Sequence, residues 1–187
     1  MTLSSVLTFA DDASNAGMGA VYLNNWWSAP FNSAHLKQPI AWRELFAILV
    51  ACRTWGHAWT TKRVLIECDN STIVHSMNNG TSKNPNIMSL IRDIFFLGSF
   101  YSFDVRLKHL PGLLNIGPDL LSRLRISEFH ATFPHADKAP TPVPASFLVP
   151  TYKLHPHVMH PRPVPRAHTP FANPPAHSHP NTRSKLD

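Results

Sequence analysis

Four acids in this chain stand where secondary structure would set them at the ends of elements. Asp12, or its neighbour Asp11, closes the apolar run "SVLTFADDAS"; Glu44 lies at the start of "AWRELFAILVACRTWGHAW"; Asp69 ends "KRVLIECDN"; Asp119 opens "NIGPDLLSRL". Each alone has an ordinary role. A helix N-terminus favours a negative charge at Glu44 or Asp119, Asp69 ahead of Asn70 and Ser71 reads as an N-cap, and Asp11 and Asp12 read as turn residues. Together they point to chemistry. Gathered carboxylates repel one another and resist desolvation, so a cluster persists when something positive is bound. An all-oxygen set suits a hard divalent cation, Mg²⁺ or Mn²⁺. Two such ions about 3.5–4 Å apart clamp a phosphodiester, activating water and stabilising the leaving oxygen. There is no glycine-rich phosphate loop with lysine and no metal-type Cys/His spacing before the C-terminal region. The chemistry these acids imply is metal-dependent phosphodiester hydrolysis.

The elements that must position them follow from hydrophobic pattern. "SVLTFADDAS" and "GMGAVYLNNWW" read as two strands joined by a tight turn, with Gly17 and Gly19 near the connection and room for a third strand before a Pro-bounded loop. Trp42, Leu45, Leu49, Cys52 and Trp59 recur at helical spacing, predicting one long amphipathic helix. "KRVLIECDN" is a short, continuously apolar run, the pattern of a buried strand. "STIVHSMNNG" predicts a helix closed by Gly80. "NPNIMSLIRDIFFLGSF" predicts another, with Asn84 as N-cap, Pro85 at the first position and a stripe of Ile87, Leu90, Ile91, Ile94 and Leu97. "FDVRLKHLPG" alternates Val105 and Leu107 with Arg106 and Lys108, a half-buried strand, and "NIGPDLLSRL" is a final short helix. Early strands that pair antiparallel, followed by strands fed by helical crossovers, argue for an α/β fold with a mixed sheet covered by helices. The first strand and the "VLIEC" strand are expected as central neighbours, with functional groups gathered beyond their ends.

Composition divides the chain near residue 128. Of 18 prolines, 13 lie between Pro134 and Pro180, and the same end carries eight of the 12 histidines from His130 onward. Residues 1–133 carry 11 Lys+Arg against 9 Asp+Glu, whereas residues 134–187 carry 6 against 2, so most of the net +6 belongs to the second part. The expectation is a folded domain over 1–128 and a Pro/His-rich disordered tail over 129–187, too poor in contiguous apolar groups to offset the ordering of its backbone. Its basic charge would add nonspecific affinity for nucleic acid. Cys52 and Cys68 both sit in apolar surroundings and read as reduced, core-filling thiols. No basic region leads into a long apolar run at the N-terminus, and no apolar stretch approaches the ~20 residues of a membrane span. The protein is therefore expected to be intracellular, cytoplasmic or nuclear.

Four segments, "FADDASNAGMGAVY", "WRELFAI", "ECDNSTIVHSMN" and "HLPGLLNIGPDLLSR", resemble in order the catalytic segments of ribonuclease H domains. The likeness is greatest to the RNase H domain that follows the reverse transcriptase of DIRS-like, tyrosine-recombinase retrotransposons, and it spans about residues 5–125. The resemblance implies an RNase H-like fold with a mixed five-stranded sheet. It implies an endonuclease that hydrolyses the RNA strand of RNA–DNA hybrids with two Mg²⁺ ions, Mn²⁺ being the alternative. Asp12, Glu44, Asp69 and Asp119 would be the metal-binding acids. Asp12 is preferred to Asp11 because the family's acid directly precedes Ala-Ser. His109 would assist catalysis or product departure, and Ser14, Asn15, Asn70 and Asn115 would contact nucleic acid. Asp11 departs from the family's usual threonine, and Pro118 stands where a small residue is commoner. A reverse transcriptase polymerase domain, missing from this chain, is the implied partner. The alternatives are a catalytically decayed or co-opted remnant that binds nucleic acid, and a member of the same fold acting on DNA.

Overall fold

The computed structural model describes residues 6–150. Strands β1 (Val6–Ala13), β2 (Gly17–Tyr22) and β3 (Asn25–Pro30) form an antiparallel meander, followed by the short helix α1 (Ser33–Leu36) and the long helix α2 (Ile40–Trp55). Then come β4 (Arg63–Cys68), α3 (Ser71–Asn79), α4 (Pro85–Tyr101), β5 (Asp104–His109), α5 (Ile116–Ser122) and α6 (Ile126–Thr132). The five strands make one sheet in the order β3-β2-β1-β4-β5. β1 runs parallel to β4, which runs parallel to β5, while β1–β2 and β2–β3 are antiparallel. The mixed five-stranded sheet flanked by helices is the expected α/β architecture, with β1 and β4 at its centre.

The local rules of the sequence hold for most elements. Asn84 caps α4 by accepting from Asn86 N and Ile87 N, and Gly80 ends α3 with φ +64°. The predicted stripe Ile87, Leu90, Ile91, Ile94 and Leu97 is buried against the rest of the core, as are Val105 and Leu107 of β5. α2 is apolar on nearly every side because it lies at the centre of the molecule: from Trp42 to Cys52 every residue is buried. Cys52 and Cys68 are free and buried. No helix among the described residues is long and apolar enough to cross a membrane.

Three local expectations differ. "GMGAVYLNNWW" is not one strand but two, folded back at Leu23–Asn24, where Leu23 takes φ +56°. The signal is weak because no glycine marks this turn. Gly17 opens β2 beside its connection to β1, with Gly19 two residues on, as read from the sequence. A Cβ at Gly19 would stand 2.4 Å from Leu121 Cβ, so this glycine serves the close approach of α5 to the sheet. α2 begins at Ile40, which places Glu44 beyond the first turn, and Asn70 rather than Asp69 caps α3.

The chain also stays packed past residue 128. α6 crosses that boundary and buries Phe129 completely against Trp26, with ring centroids 5.3 Å apart. Beyond it, Asp137 N donates to Asn24 O, Thr141 N to Trp26 O, and Trp26 Nε1 to Asp137 O, so the segment runs along the outer side of β3. Arg53 of α2 then donates to the carbonyls of Phe147 and Val149. Single apolar anchors spaced along a proline-rich segment leave no periodic pattern, and proline needs no donor partner when laid against an edge strand. The rest of the expected tail, 151–187, lies outside the described residues.

Candidate active site

Side chains alternate along β1. Phe9 and Ala13 belong to the core packed around α2, and Asp11 turns to the same side; Asp12 turns towards α5, where the Ser122 hydroxyl donates to its Oδ2 at 2.7 Å. Asp69 follows the last residue of the neighbouring parallel strand β4 and is exposed. α2 contributes Glu44, 7% exposed, and α5 contributes Asp119 in its first turn. The four acids thus come from four elements that meet near the C-terminal ends of β1 and β4, each within the electrostatic reach of others in the set.

Their fields are felt. Glu44 is pushed up to about 7, first by burial and then by Asp69 and Asp12, against the bond it accepts from Asn70 Nδ2 at 2.6 Å. Asp12 is pushed up to about 6 by burial, with Asp69 and Asp119 adding to it and the Ser122 bond opposing. Asp11 is enclosed behind them. Neither of its carboxylate oxygens finds a hydrogen-bond partner among the described residues, and burial, then Asp12, Glu44 and Asp69, raise it well above the ordinary carboxylate range.

The remaining candidates divide by what their side chains already do. Asn70 is fully engaged: Oδ1 accepts from Thr72 N and Ile73 N while Nδ2 holds Glu44. Asn115 is 2% exposed and its Nδ2 donates to Asp11 O, so it braces β1 from α5 rather than facing solvent. Ser14 Oγ donates to Ser122 O and accepts from Ala16 N. Asn15 is exposed at the tip of the β1–β2 turn, with Oδ1 accepting from Arg43 Nη1 at 3.1 Å. His109 is exposed at the end of β5. Its Nε2 lies 3.2 Å from Asp69 O, a contact made when that nitrogen carries the proton.

Three contributors escaped sequence reasoning. Arg43, buried beside Glu44, donates to Ser14 O at 2.7 Å and sits over the Phe31 ring, fastening the β1–β2 turn to α2. Its signal was a cation directly preceding an acid on a helix otherwise given to the core. Gly112, in the turn after β5, lies so near Asp69 that a Cβ would stand 3.0 Å from Oδ2. Ser122 is wholly buried and bonded to Asp12; its place in "DLLSR" was visible, its partner was not.

A divalent cation fits this donor set in type and charge. The groups are carboxylates, burial and mutual repulsion penalise the charge of two of them in a way a bound cation would relieve, and neighbours steer individual oxygens: Ser122 on Asp12, Asn70 on Glu44, Arg123 on Asp119 at 2.8 Å. As placed, no three acid, histidine or cysteine side chains among the described residues stand close enough together to enclose an ion.

Solved structures share the fold. LC11-RNase H1, isolated from compost by a metagenomic approach, superposes with a TM-score of 0.51 at 18% identity over 66% of this chain and 95% of its own. RNase H1 from the halophilic archaeon Halobacterium salinarum does so with a TM-score of 0.50 at 10% identity over 66% and 98%. No curated protein sequence matches. The model of the RNase H-like domain found in reverse transcriptase matches residues 3–100, a span that holds Asp12, Glu44 and Asp69 and stops short of His109 and Asp119. With more than half of the 187 residues inside that match and the sheet order, crossovers and acid positions described above, the chain belongs to the family of RNase H-like domains found in reverse transcriptases.

Proposed function

We propose that this protein is a metal-dependent endonuclease that hydrolyses the RNA strand of RNA–DNA hybrids, as the RNase H part of a retroelement reverse transcriptase. The observation that carries the reading is the shared field of Asp12, Glu44, Asp69 and Asp119, acids from four elements, two of them raised by burial and by one another. These four would hold Mg²⁺, two ions or their Mn²⁺ equivalents. Bound there, the ions supply charge neutralisation on the phosphodiester and a more acidic attacking water. Asp12 is favoured over Asp11 as the first ligand because it alone of the two turns to Ser122 and feels Asp119.

The chain's own groups prepare the rest. Asn70 keeps Glu44 in one orientation while capping α3, so the start of that helix and the acid are registered together. His109, exposed beside Asp69, is the group proposed to assist catalysis or product departure. Asn15 accepts from Arg43 through Oδ1, which leaves its amide group to donate to an acceptor on the substrate. Such contacts at the 2′-hydroxyl and phosphate read duplex shape rather than base sequence. The proposed DIRS-like affiliation rests on the four segments taken in order, of which the last runs from His109 to Arg123, and a polymerase domain is the proposed partner in the element.

The test is cleavage of an RNA–DNA hybrid carrying a label on the RNA strand, with Mg²⁺ and with chelator, by wild type and Asp69→Asn. RNA fragments with wild type and Mg²⁺ only are the expected result. Undetectable cleavage by both, with hybrid binding intact, would overturn the enzyme reading in favour of a nucleic-acid-binding module.

A further inference from the structure

α5 carries Asp119, and its last turn is also fastened to the sheet. Ser28 Oγ of β3 donates to Leu121 O at 2.7 Å, and Ser14 Oγ donates to Ser122 O at 2.8 Å. Gly19 of β2 passes directly under Leu121, where any side chain would collide. Two hydroxyl bonds and one glycine therefore fix the backbone of residues 121–122 against β2, β3 and the β1–β2 turn. The side chain of Ser122 hangs from that fixed backbone, fully buried, with only its own rotation left to choose. Its oxygen lies 2.7 Å from Asp12 Oδ2 and 3.0 Å from the carbonyl of Asp119 one turn back. A carboxylate is the stronger acceptor, so the serine hydroxyl points its proton at Asp12 Oδ2.

We infer that Ser122 is a positioning residue: its hydroxyl, held in place by the docking of α5, orients the Asp12 carboxylate for a divalent cation and so sets the cation concentration at which the site fills. The inference rests on the proposed reading in that a cation binds at Asp12, and it adds a residue outside the acid set. A carboxylate free to rotate would pay for its ordering each time an ion binds. One held by a buried hydroxyl has that ordering done by folding. Partners of metal-ligating groups that act in this way are commonly worth 10–100-fold in affinity.

The experiment measures Mg²⁺ binding to the metal-free full chain by calorimetry, without nucleic acid, and then the Mg²⁺ dependence of hybrid cleavage. Ser122→Ala is compared with Ser122→Cys, which fills the same space with a poor donor, and with Ser28→Ala, which removes a docking bond but leaves the hydroxyl on Asp12. Ser122→Ala and Ser122→Cys are expected to weaken Mg²⁺ binding roughly tenfold and to move the half-saturating Mg²⁺ for cleavage by the same factor. Most of the rate should return at saturating Mg²⁺. Ser28→Ala should lower the melting temperature and cost Mg²⁺ affinity less than the Ser122 variants do, because Ser14 and Gly19 still hold residues 121–122 and the hydroxyl stays on Asp12. If Ser122→Ala does not fold, the cysteine variant decides alone. Unchanged affinity in the Ser122 variants, or an equal loss in Ser28→Ala, overturns the inference. Wild type that binds Mg²⁺ yet cuts no hybrid would sink the hydrolytic reading while leaving this one standing. Wild type that binds no Mg²⁺ overturns both.

Discussion

Replacing Glu44 with glutamine is expected to stabilise the metal-free protein at neutral to alkaline pH and to leave it unchanged in acid. Glu44 is buried, and burial followed by repulsion from Asp69 and Asp12 raises it from 4.5 to about 7. An unfolded chain releases this proton near 4.5 and the folded chain near 7. Between those values the folded chain keeps a proton that the unfolded chain has lost, so stability falls as pH rises through the window and levels off above it. A gap of about 2.5 units at about 1.4 kcal/mol each amounts to roughly 3 kcal/mol. Glutamine has the same size and still offers Asn70 an oxygen, but it carries no charge to desolvate. For a chain of this length about 1 kcal/mol moves the melting midpoint by about 2–4 °C, so the variant should melt roughly 6–12 °C above wild type at about pH 8. The assay is thermal unfolding followed by circular dichroism, in chelator, at about pH 4 and pH 8 for both proteins. Repeating it with millimolar Mg²⁺ should raise wild type at the higher pH and leave the variant where it was, because only wild type gains from binding. An equal difference between the two proteins at both pH values, or a variant less stable than wild type at the higher one, would show that Glu44 is not held in its charged form against the fold.

Asp69→Asn should lower hybrid cleavage by orders of magnitude while hybrid binding survives or tightens, since it keeps shape and removes the charge that meets the metal; His109→Ala should be milder, and single-turnover against steady-state rates on one substrate check the contrast. Asp11→Thr should raise stability by about 1–3 kcal/mol in chemical denaturation, because it removes a buried carboxyl without partners among the described residues; a loss of stability would mean that Asp11 is compensated. Phe129→Ala should cost about 3–5 kcal/mol by the same measurement, since Phe129 is wholly buried against Trp26, and limited proteolysis of wild type should accordingly protect the chain to near residue 150 rather than near Arg125; early cleavage between 129 and 150 would refute the packed strap.

The elements whose stability is local could be read directly from the sequence. Asn84-Pro85 starts α4 and Gly80 ends α3 because caps act on backbone groups one turn away. Period-two alternation in β5 and the helical stripe of α4 report burial on one face, and the structure buries those faces. The four acids stood at or near element ends, and their order along the chain was enough to suggest one site. Other features depended on pairs far apart in sequence. Ser122 meets Asp12 across 110 residues, and Asn70 meets Glu44 across 26. Asn70 and Asn115 each commit part of the side chain to capping α3, holding Glu44 or bracing β1, partners that only the folded chain supplies. The turn at Leu23–Asn24 and the strap along β3 left no pattern, since strand pairing supplies their stability from outside the segment. The sequence by itself determined the longer helices, the strands β1, β4 and β5 and which acids are available, because those depend on neighbours within a turn or two, whereas α1, α6 and the division of β2 from β3 were not legible in it. Only the tertiary structure decided that Asp12 rather than Asp11 faces α5, since adjacent residues on a strand point to opposite sides of a sheet and the sheet's surroundings settle what each side meets.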